Sequence, residues 1–424
     1  MAFVTRAVKG THDLFGDPLA YHRAIVDAAR RWAEAAGAAE IATPIFEFTE
    51  VFERGVGPTS DIVQKEMFTF SDRAGRSLTL RPEGTAGVVR AYNEHGMKVW
   101  PQPVRLWYAG PMFRAERPQK GRQRQFHQVG YEVLGSDQPE LDAEAVALSY
   151  HILASLGLRN MRLLLGSVGD PADRERYNAY LRELLAPHAA RLSEDSRRRL
   201  VTNPMRILDS KNSGDRALLA ELDVRPMLAF LGSEAKAHFE AVRARLGALG
   251  VPYEVDPSIV RGLDYYVRTS WEIHHDELGA QSALGGGGRY DGLSELLGGP
   301  PAPGVGWALG IERVALAMEA EGLSPAPAPA LDLYIVPLES SLVPRALEVA
   351  ARFWPELRVQ YALKARKPGK GLQEAEKKGA RFAALLGPDE ATAGTLTVKN
   401  LETGEQHTLP LEEVREWVGK GGRA

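Results

Sequence analysis

Two short segments of the sequence combine residue types that could bind a small molecule and act on it. The segment VRGLDYY, Val260–Tyr266, places an arginine, an aspartate and two tyrosines close together. The segment GGGGRYDGL, Gly285–Leu293, contains four successive glycines through which a ligand can approach the backbone closely. Each segment alone also fits a purely structural part, because buried Arg–Asp pairs and glycine turns are common. A binding site is therefore indicated only if other segments supply matching groups.

One extended segment, Arg124–Val133, supplies such groups. Alternate side chains of a strand point to the same face, so Phe126, Gln128 and Glu132 share one face with Gly130. An aromatic ring, an amide and a carboxylate therefore line one side of the predicted strand.

Two further segments carry candidate binding groups at their ends. The extended segment Val104–Arg114 carries an arginine at its end, beside a polar and basic loop that contains Glu116. An earlier hairpin ends in RPEGT, Arg81–Thr85, where the glycine permits a tight turn. Each feature taken singly is typical of a surface ion pair or a loop. Their convergence favours a ligand site.

Two glycine patterns do not indicate a known nucleotide-binding loop. GVGWALG, Gly304–Gly310, has the spacing G-x-G-x-x-x-G, and no strand-turn-helix unit with an acidic partner surrounds it as in a dinucleotide fold. GGGGRYDG lacks the lysine and hydroxyl of a P-loop. A nucleotide would therefore have to be held by arginine side chains.

The composition excludes several classes of protein. A chain of 424 residues with 44% hydrophobic residues can form two or three domains with real cores. The absence of cysteine excludes disulfides and cysteine-ligated metal sites. No apolar run has the length of a signal peptide or a membrane span, which predicts a cytoplasmic protein without membrane contact. The adjacent His274 and His275 are predicted to lie on a strand surface rather than to bind metal.

Periodicity predicts the elements that must position these groups. Asp17 and Pro18 predict the start of a long amphipathic helix, and Gly37 predicts its end. The apolar stretch Ile41–Phe52 predicts an extended segment. Its Pro44 requires a sheet edge or a subunit boundary.

Two hairpins follow in the sequence. Glu66–Arg81 alternates apolar and polar residues on both sides of a turn at Asp72–Gly75. Val104–Arg114 and Arg124–Val133 form a second antiparallel pair. Consecutive hairpins favour an antiparallel sheet over a doubly wound parallel one.

The residue composition changes twice in the rest of the chain. Residues 170–255 are charged and helical in pattern, which predicts an inserted helical subdomain. The proline-rich stretch SPAPAPA, Ser324–Ala330, predicts a semi-rigid linker. Beyond it, strands such as LDLYIVPL and RFAALLG alternate with helical sequence. The predicted fold class is α+β: an antiparallel sheet core flanked by helices, a helical insertion and a C-terminal α/β domain.

These motifs, in this order, resemble histidyl-tRNA synthetases, which are class II aminoacyl-tRNA synthetases, over nearly the whole chain. RPEGT, VRGLDYY and GGGRYDGL resemble the motifs specific to that family. FRAERPQKGRQRQFHQ, Phe113–Gln128, is similar to the second class motif, and GVGWALGIERV, Gly304–Val314, to the third. The helix and strand through Pro44 are similar to the first, which lies at the dimer interface of these enzymes.

The resemblance implies a two-step reaction. The carboxylate of L-histidine attacks the α-phosphate of ATP, which gives histidyl-adenylate and pyrophosphate. The terminal ribose hydroxyl of histidine tRNA then takes the histidyl group. The implied domains are a class II catalytic domain at 1–325, a helical insertion at 170–255 and an anticodon-binding domain at 331–424.

The resemblance also implies which residues bind ATP. Arg114 would hold the α-phosphate and Arg313 the outer phosphates, while Arg261 would stand beside the α-phosphate, where related enzymes often place a metal ion. The planar, permanently charged fork of arginine matches phosphate oxygens. Phe126 would stack on adenine and Glu116 would accept a hydrogen bond from its amino group. Mg²⁺ would travel with the phosphates, and its protein ligands are not identified.

The histidine substrate would be held at both ends. By the resemblance, Glu83, Thr85 and Gln128 would surround its α-ammonium group. Neutral imidazole has one N–H and one lone pair, so a carboxylate and a phenol can satisfy both ring nitrogens. The residues implied for the imidazole are Glu132 and Tyr266, with Tyr265 lying alongside.

Two alternatives to the enzyme remain open at this point. One is a regulatory paralogue of ATP phosphoribosyltransferase that senses histidine without catalysis, although that family generally lacks the C-terminal tail and parts of the histidine motifs. The other is a synthetase-like RNA-sensing module of a kinase, although no kinase motif is present. The implied partners of the enzyme are histidine tRNA, L-histidine and a second copy of the chain. A basic run in the tail, YALKARKPGKG, would contact the RNA through Lys364, Arg366, Lys367 and Lys370.

Overall fold

The chain forms two compact units. The computed structural model describes residues 5–57, 60–257, 259, 265–325 and 331–421. The two units are Met1–Ala326 and Pro327–Ala424. The segments singled out above for small-molecule chemistry all belong to the first unit.

The first unit is built on a large mixed sheet. The strands of this unit are β1 Ala39–Glu40, β2 Phe46–Phe48, β3 Phe68–Ser71, β4 Ser77–Leu80, β5 Val104–Phe113, β6 Gln125–Leu134, β7 Met161–Ser167, β8 Glu254–Val255, β9 Val267–His275, β10 Ala283–Arg289 and β11 Gly304–Gly310. Eight of them lie in the order β1–β5–β6–β11–β10–β9–β7–β8. Only the pairings at the two edges, β1 with β5 and β7 with β8, are parallel. The antiparallel core predicted from consecutive hairpins is confirmed.

Helices cover one face of this sheet. The helices of this unit are α1 Gly16–Ala35, α2 Thr49–Val56, α3 Thr85–Glu94, α4 Pro139–Ser155, α5 Pro171–Leu185, α6 Glu194–Thr202, α7 Ser213–Glu221, α8 Ser233–Ala248, α9 Leu293–Leu296 and α10 Ile311–Ala320. Side chains of α1, α4, α8 and α10 pack with Trp107, Tyr131 and Trp271 of the sheet in one core. The opposite face carries a smaller core with α3 and Tyr108, and the candidate site lies on this face.

The first helix starts differently from the sequence prediction. Asp17 and Pro18 predict its start, but α1 begins at Gly16, after an extended Phe15 that makes no side-chain cap. Pro18 fits the first turn because its missing N–H would have no partner within the helix. The predicted end is confirmed, since Gly37 follows the helix with φ of +80°.

The extended stretch predicted from Ile41 to Phe52 is wrong in its second half. Strand β2 ends at Phe48, and α2 begins at Thr49. Phe52 and Val56 are buried on α2, four residues apart, which is the spacing of a helix face. A short apolar run does not by itself distinguish a strand from a buried helix.

A separate sheet in the order β2–β4–β3 has one apolar face. Its register places the following residues opposite one another on that face: Phe46, Phe48, Phe68, Phe70, Leu78 and Leu80. Three of them remain largely exposed: Phe46 at 47%, Phe48 at 51% and Phe70 at 45%. The other face is polar, and Thr49, Thr69 and Thr79 hydrogen-bond through their hydroxyl groups. The chain therefore leaves an apolar face of this sheet partly open to water.

The residues between β7 and β8 are mostly helical. The pattern predicts one amphipathic helix from Glu175 to Leu192, but α5 ends at Leu185. Pro187 explains the break, because proline has no N–H to donate and its ring clashes with the preceding turn. Asp170 caps the start of α5 through the backbone of its first turn.

The prediction of a surface position is wrong for His275. Strand β9 lies inside the sheet, between β10 and β7, so its side chains meet neighbours on both faces. His275 is fully buried, and its Nε2 lies 2.9 Å from the Glu321 carboxylate. His274 lies between Glu272 and Ser282.

The second unit is a five-stranded sheet covered by helices. Its strands are β12 Leu331–Pro337, β13 Val359–Tyr361, β14 Ala380–Leu386, β15 Thr395–Asn400 and β16 Gln406–Pro410, and its helices are α11 Val343–Phe353, α12 Pro368–Lys377, α13 Pro388–Ala393 and α14 Leu411–Gly419. The order is β13–β12–β14–β15–β16, with the first three strands parallel and the last two antiparallel. The strands predicted at LDLYIVPL and RFAALLG are confirmed as β12 and β14. Across the described ranges of both units, no helix is long and apolar enough to cross a membrane.

Candidate functional site

The candidate site is built on the open face of the large sheet. Phe126, Gln128 and Glu132 alternate along β6 and point to the same side, as the sequence predicts. Residues of the loop after β5 and of β10, β11 and α10 line a cleft beside Phe126 and Gln128. This cleft contains the described residues that are predicted to bind ATP, which are Arg114, Glu116, Phe126 and Arg313. Gln128, which is predicted to contact the α-ammonium group of histidine, lines it as well.

Arg114 and Phe126 form a stacked pair in this cleft. The guanidinium carbon of Arg114 lies 5.2 Å from the centre of the Phe126 ring. The Nε atom of Arg114 donates to the carbonyl oxygen of Pro82 at 3.0 Å, which ties it to the RPEGT segment. The pair therefore offers a cation and an aromatic face at one place, as a nucleotide base and its phosphate require.

Arg313 is held at the opposite side of the cleft. Its Nε donates to the carbonyl oxygen of Gly121 at 3.1 Å, and its Nη1 to that of Ala283 at 2.9 Å. Burial lowers the pKa of Arg313, and the neighbouring charges of Arg122 and Arg114 lower it further. Like charges gathered in one cleft favour the binding of a polyanion.

Glu116 is already paired within the cleft. Its carboxylate lies 3.0 Å from a guanidinium nitrogen of Arg122. Arg122 belongs to the basic loop between β5 and β6, and sequence analysis gives it no individual role. An adenine amino group would therefore share Glu116 with an arginine.

Gln128 presents an acceptor toward the same cleft. Its Oε1 is buried and has no hydrogen-bond partner within the described part of the chain. A buried unpaired amide oxygen is unfavourable unless a ligand donates to it. An ammonium group is a suitable donor.

Glu132 lies at the centre of a buried polar cluster on the same face of the sheet. Its side chain is fully enclosed, and Thr85 donates to Oε1 at 2.7 Å. Tyr290 donates to Oε2 at 2.5 Å, and the hydroxyl of Tyr108 lies 3.4 Å from Oε1. Burial raises the pKa of Glu132 to about 8, although these hydrogen bonds oppose the shift. This carboxyl group therefore keeps its proton to a higher pH than an exposed glutamate does.

Glu83 has a structural partner that the sequence does not reveal. Its two carboxylate oxygens accept from the backbone N–H groups of Thr85 at 2.7 Å and Ala86 at 2.9 Å, at the start of α3. This contact satisfies two donors that a helix start leaves free. Glu83 would therefore meet an ammonium group while it holds α3 in place.

Two glycines make the pocket sterically possible. A Cβ atom at Gly306 would lie 1.8 Å from Oε2 of Glu132, and one at Gly130 would lie 2.2 Å from the ring of Tyr108. Both distances are far shorter than any real contact. The strands beside Glu132 must therefore carry glycine for the carboxyl group and the phenol to fit.

The tyrosines after β8 line the same pocket. Tyr265 and Tyr266 pack edge to face at 4.7 Å, and Tyr265 meets Tyr290 at 5.8 Å in the same way. The structure therefore brings both tyrosines to the core that surrounds Glu132. Arg261 lies outside the described residues, and its role stays a prediction.

Two residues around Glu132, Tyr108 and Tyr290, are not among those that the sequence indicates. Tyr290 lies within GGGGRYDGL, so a motif pointed to it without giving it a partner. Tyr108 lies on β5 opposite Gly130, with no local signal beyond strand alternation. Only the pairing of β5 with β6 brings it to Glu132.

Comparison with known proteins gives matches over both units. The family model "Histidyl-tRNA synthetase" matches residues 10–314, and "Anticodon binding domain" matches 332–420. The histidine–tRNA ligase of Thermus thermophilus is 66% identical over 409 residues, which cover 96% of this chain and 97% of the relative. That of Deinococcus radiodurans is 55% identical over 418 residues, with coverage of 96% and 97%. The crystal structure of apo S. aureus histidyl-tRNA synthetase matches with a TM-score of 0.82 at 37% identity, covering 98% of this chain and 100% of that one.

The raised pKa of Glu132 predicts a change in stability with pH. The folded pKa of about 8 exceeds the ordinary 4.5, so the contribution of Glu132 to stability is full below 4.5 and is lost as the pH rises through 8. Glu132→Gln cannot ionise. The stability of this variant relative to the unmodified protein, measured by thermal unfolding, should therefore rise between pH 5 and pH 9. The expected gain is a few kcal/mol of unfolding free energy, at about 1.4 kcal/mol per pKa unit.

The control for this measurement is Glu295→Gln, which changes an exposed carboxylate on α9. It should show no comparable pH-dependent gain. An equal effect of Glu132→Gln at pH 5 and pH 9 would contradict the buried titration.

Proposed function

We propose a residue-level mechanism from the premise that the chain belongs to the histidyl-tRNA synthetase family. The chain is a histidine–tRNA ligase, and the family match extends over most of its length together with the anticodon-binding family at its end. The alternative of a regulatory paralogue of ATP phosphoribosyltransferase is not supported. The relatives that are 66% and 55% identical to the chain are histidine–tRNA ligases, and each match covers 96% of the chain. The observation that carries the mechanism is an enclosed carboxyl group, Glu132, on the same sheet face as a cleft of arginines.

ATP binds in the arginine cleft. Arg114 holds the α-phosphate and Arg313 the outer phosphates, while the adenine lies against Phe126 and donates to Glu116. Two observations support this assignment. These residues line one cleft, and the positive charges of its arginines repel one another, a repulsion that a bound polyphosphate would reduce. Mg²⁺ would enter bound to the phosphates and would neutralise part of their charge. Within the described residues, no group of three acidic or histidine side chains could hold a metal ion alone.

Histidine binds in the pocket around Glu132. Its α-ammonium group lies between Glu83, Thr85 and Gln128, where the buried acceptor of Gln128 can take one hydrogen bond. Its imidazole meets Glu132 and Tyr266. A carboxyl group with pKa of about 8 can donate to a neutral imidazole or accept from a protonated one.

Catalysis by these residues consists of positioning and charge neutralisation. The carboxylate of histidine and the α-phosphate are brought together at the junction of the pocket and the cleft, where strand β6 carries residues of both. Preorganised arginines stabilise the charge of the phosphoryl transition state. Arg261 adds a further charge by its motif position, and Arg114 and Arg313 complete the set.

The second unit binds the RNA. We assign the catalytic domain to 1–325, the helical insertion to 170–255 and the anticodon-binding domain to 331–424. In the basic run, Lys364, Lys367 and Lys370 are exposed just before and within the first turn of α12. Arg366 differs from them, because its Nε donates to Glu374 at 2.7 Å. The exposed lysines therefore provide the phosphate contacts.

The homodimer forms through the apolar face of the β2–β4–β3 sheet. Sequence analysis assigns the interface to α1 and the strand through Pro44. The apolar stripe of α1, however, is buried in its own subunit through residues such as Ile25 and Ala29. The open face with Phe46 and Phe70 is the better candidate, since obligate interfaces are large and apolar.

Histidine alone should support pyrophosphate exchange. Apolar analogues would leave Glu132 and its partners unpaired, so discrimination of about 10⁴ to 10⁵ is expected without editing. The measurement is exchange of labelled pyrophosphate into ATP with each of the twenty amino acids. A signal for histidine no greater than for the others would refute the assignment.

Two charges on the open sheet face should abolish the dimer. Phe46→Asp with Phe70→Asp places two carboxylates where water must be excluded. Sedimentation equilibrium at micromolar concentration should give a dimer for the unmodified chain and a monomer for this variant. Val201→Asp, which alters a residue of α6 that is 76% exposed, is the control and should remain a dimer. A double variant that still dimerises would place the interface elsewhere.

Removing the exposed lysines should weaken RNA binding only. Replacement of Lys364, Lys367 and Lys370 by alanine should raise the KM for tRNA and flatten its salt dependence, by about one log-log unit for each phosphate that the protein no longer neutralises. Pyrophosphate exchange should not change. Lys377→Ala with Lys378→Ala, at the other end of α12, is the matched control and should keep the KM. An unaltered KM in the triple variant would remove the basic run from the RNA site.

A further inference from the structure

A buried ion cluster lies beside the histidine pocket. Asp142 on α4 and Arg289 at the end of β10 are both 0% exposed. The Nε of Arg289 lies 3.1 and 3.2 Å from the two oxygens of Asp142, and its Nη2 also donates to that carboxylate. Two opposite charges without water are stable only when their geometry is tightly held.

The remaining donors of Arg289 hold the chain around Tyr290. Its Nη1 donates to Asp291 Oδ1 at 2.8 Å and to the carbonyl oxygen of Ser136 at 3.2 Å. The same Asp291 oxygen accepts the backbone N–H of Gly304 at 3.2 Å. The residues on both sides of Tyr290 are therefore anchored to one guanidinium group, whose rigid fork fixes their separation.

Tyr290 itself has little freedom. Its backbone N–H donates to the carbonyl oxygen of Gly304 at 2.7 Å, and its hydroxyl donates to Glu132 Oε2 at 2.5 Å. A Cβ atom at Gly304 would lie 2.3 Å from the Tyr290 ring, so the ring rests on bare backbone. The position of this hydroxyl thus follows from the position of the backbone that Arg289 holds.

Helix α8 reaches the same cluster through His238. This residue lies on α8, is 7% exposed, and has its Nε2 3.2 Å from Asp142 Oδ1. Burial acts to raise the pKa of Asp142, but the hydrogen bond from His238 and the charge of Arg289 outweigh it and lower the pKa. One carboxylate therefore receives donors from α8 and from the segment that carries Tyr290.

We propose that Asp142 and Arg289 are positioning residues for histidine recognition, and that His238 couples the placement of α8 to the histidine pocket. A displacement of α8 removes a donor from Asp142, lets the Arg289 fork shift and moves the Tyr290 hydroxyl relative to Glu132. Small displacements of positioned groups have large effects on binding and catalysis. The inference rests on the proposed role of Glu132 as the group that binds the imidazole.

The test compares KM values for histidine and for ATP in pyrophosphate exchange by the full-length protein. Arg289→Lys keeps the charge but loses the fork, so the KM for histidine should rise about 10- to 100-fold while that for ATP changes little. His238→Leu removes one donor and should raise the KM for histidine about 3- to 10-fold. His238→Gln can restore a donor at the same place and should stay within about twofold of the unmodified protein.

Two controls separate positioning from general stability. Tyr131→Phe removes a hydroxyl that donates to Glu144 at 2.7 Å on the other face of β6. Tyr177→Phe removes a hydroxyl that donates to the carbonyl oxygen of Arg225 at 2.9 Å within the insertion. Both should leave the KM for histidine unchanged even if they lower the melting temperature.

The outcomes distinguish this inference from the proposed function. Glu132→Gln with an unchanged KM for histidine would overturn the role of Glu132 itself. A raised KM in Glu132→Gln, together with unchanged KM values in Arg289→Lys and His238→Leu, would overturn the positioning chain alone. If Arg289→Lys fails to fold, His238→Leu and its glutamine counterpart decide the result. A lower melting temperature with no change in KM would reduce the cluster to a structural role and overturn the proposal.

Discussion

The enclosure of one carboxyl group, Glu132, constrains all the residues that pack around it. An ionisable group that loses its water needs hydrogen-bond donors around it, and here Thr85, Tyr108 and Tyr290 supply them from three separate elements. The space for these groups exists only because glycine stands at positions such as Gly306 on the neighbouring strand. Burial still disfavours the charged form of Glu132 despite these hydrogen bonds, so its pKa is raised. A substrate that shares the proton of Glu132 reduces this cost.

The neighbouring cleft faces the opposite electrostatic problem. Arg114, Arg122 and Arg313 lie near one another, and their mutual repulsion adds to burial in lowering the pKa of Arg313. Glu116 offsets part of this charge through its ion pair with Arg122. A polyphosphate would offset much more. The cleft thus gathers three arginines beside a buried cluster of carboxyl and phenol groups, an arrangement that favours an anionic ligand in the cleft.

Strand β6 joins these two environments because of its place in the sheet. Its side chains on one face, such as Tyr131, enter the main core, whereas Phe126, Gln128 and Glu132 on the other face form the site. A rigid central strand holds such groups more accurately than a loop can. The glycine-rich strands β10 and β11 lie next to it in the same sheet, which allows side chains and substrate to approach the backbone.

The sequence alone determined the antiparallel core, the two long hairpin strands and the shared face of Phe126, Gln128 and Glu132, because strand alternation is a local property. The resemblance to histidyl-tRNA synthetases implied that Arg114 and Arg313 belong to one site, and both line the same cleft. The tertiary structure alone decided which groups surround Glu132, since Tyr108 and Tyr290 reach it through pairing and folding of distant segments. Tertiary contacts also decide that His275 is buried and that Phe52 lies on a helix. The apolar side of α1 packs in the core of its own subunit, whereas the apolar face of the β2–β4–β3 sheet stays partly exposed. Burial and long-range contact depend on all neighbours at once, and no local pattern encodes them.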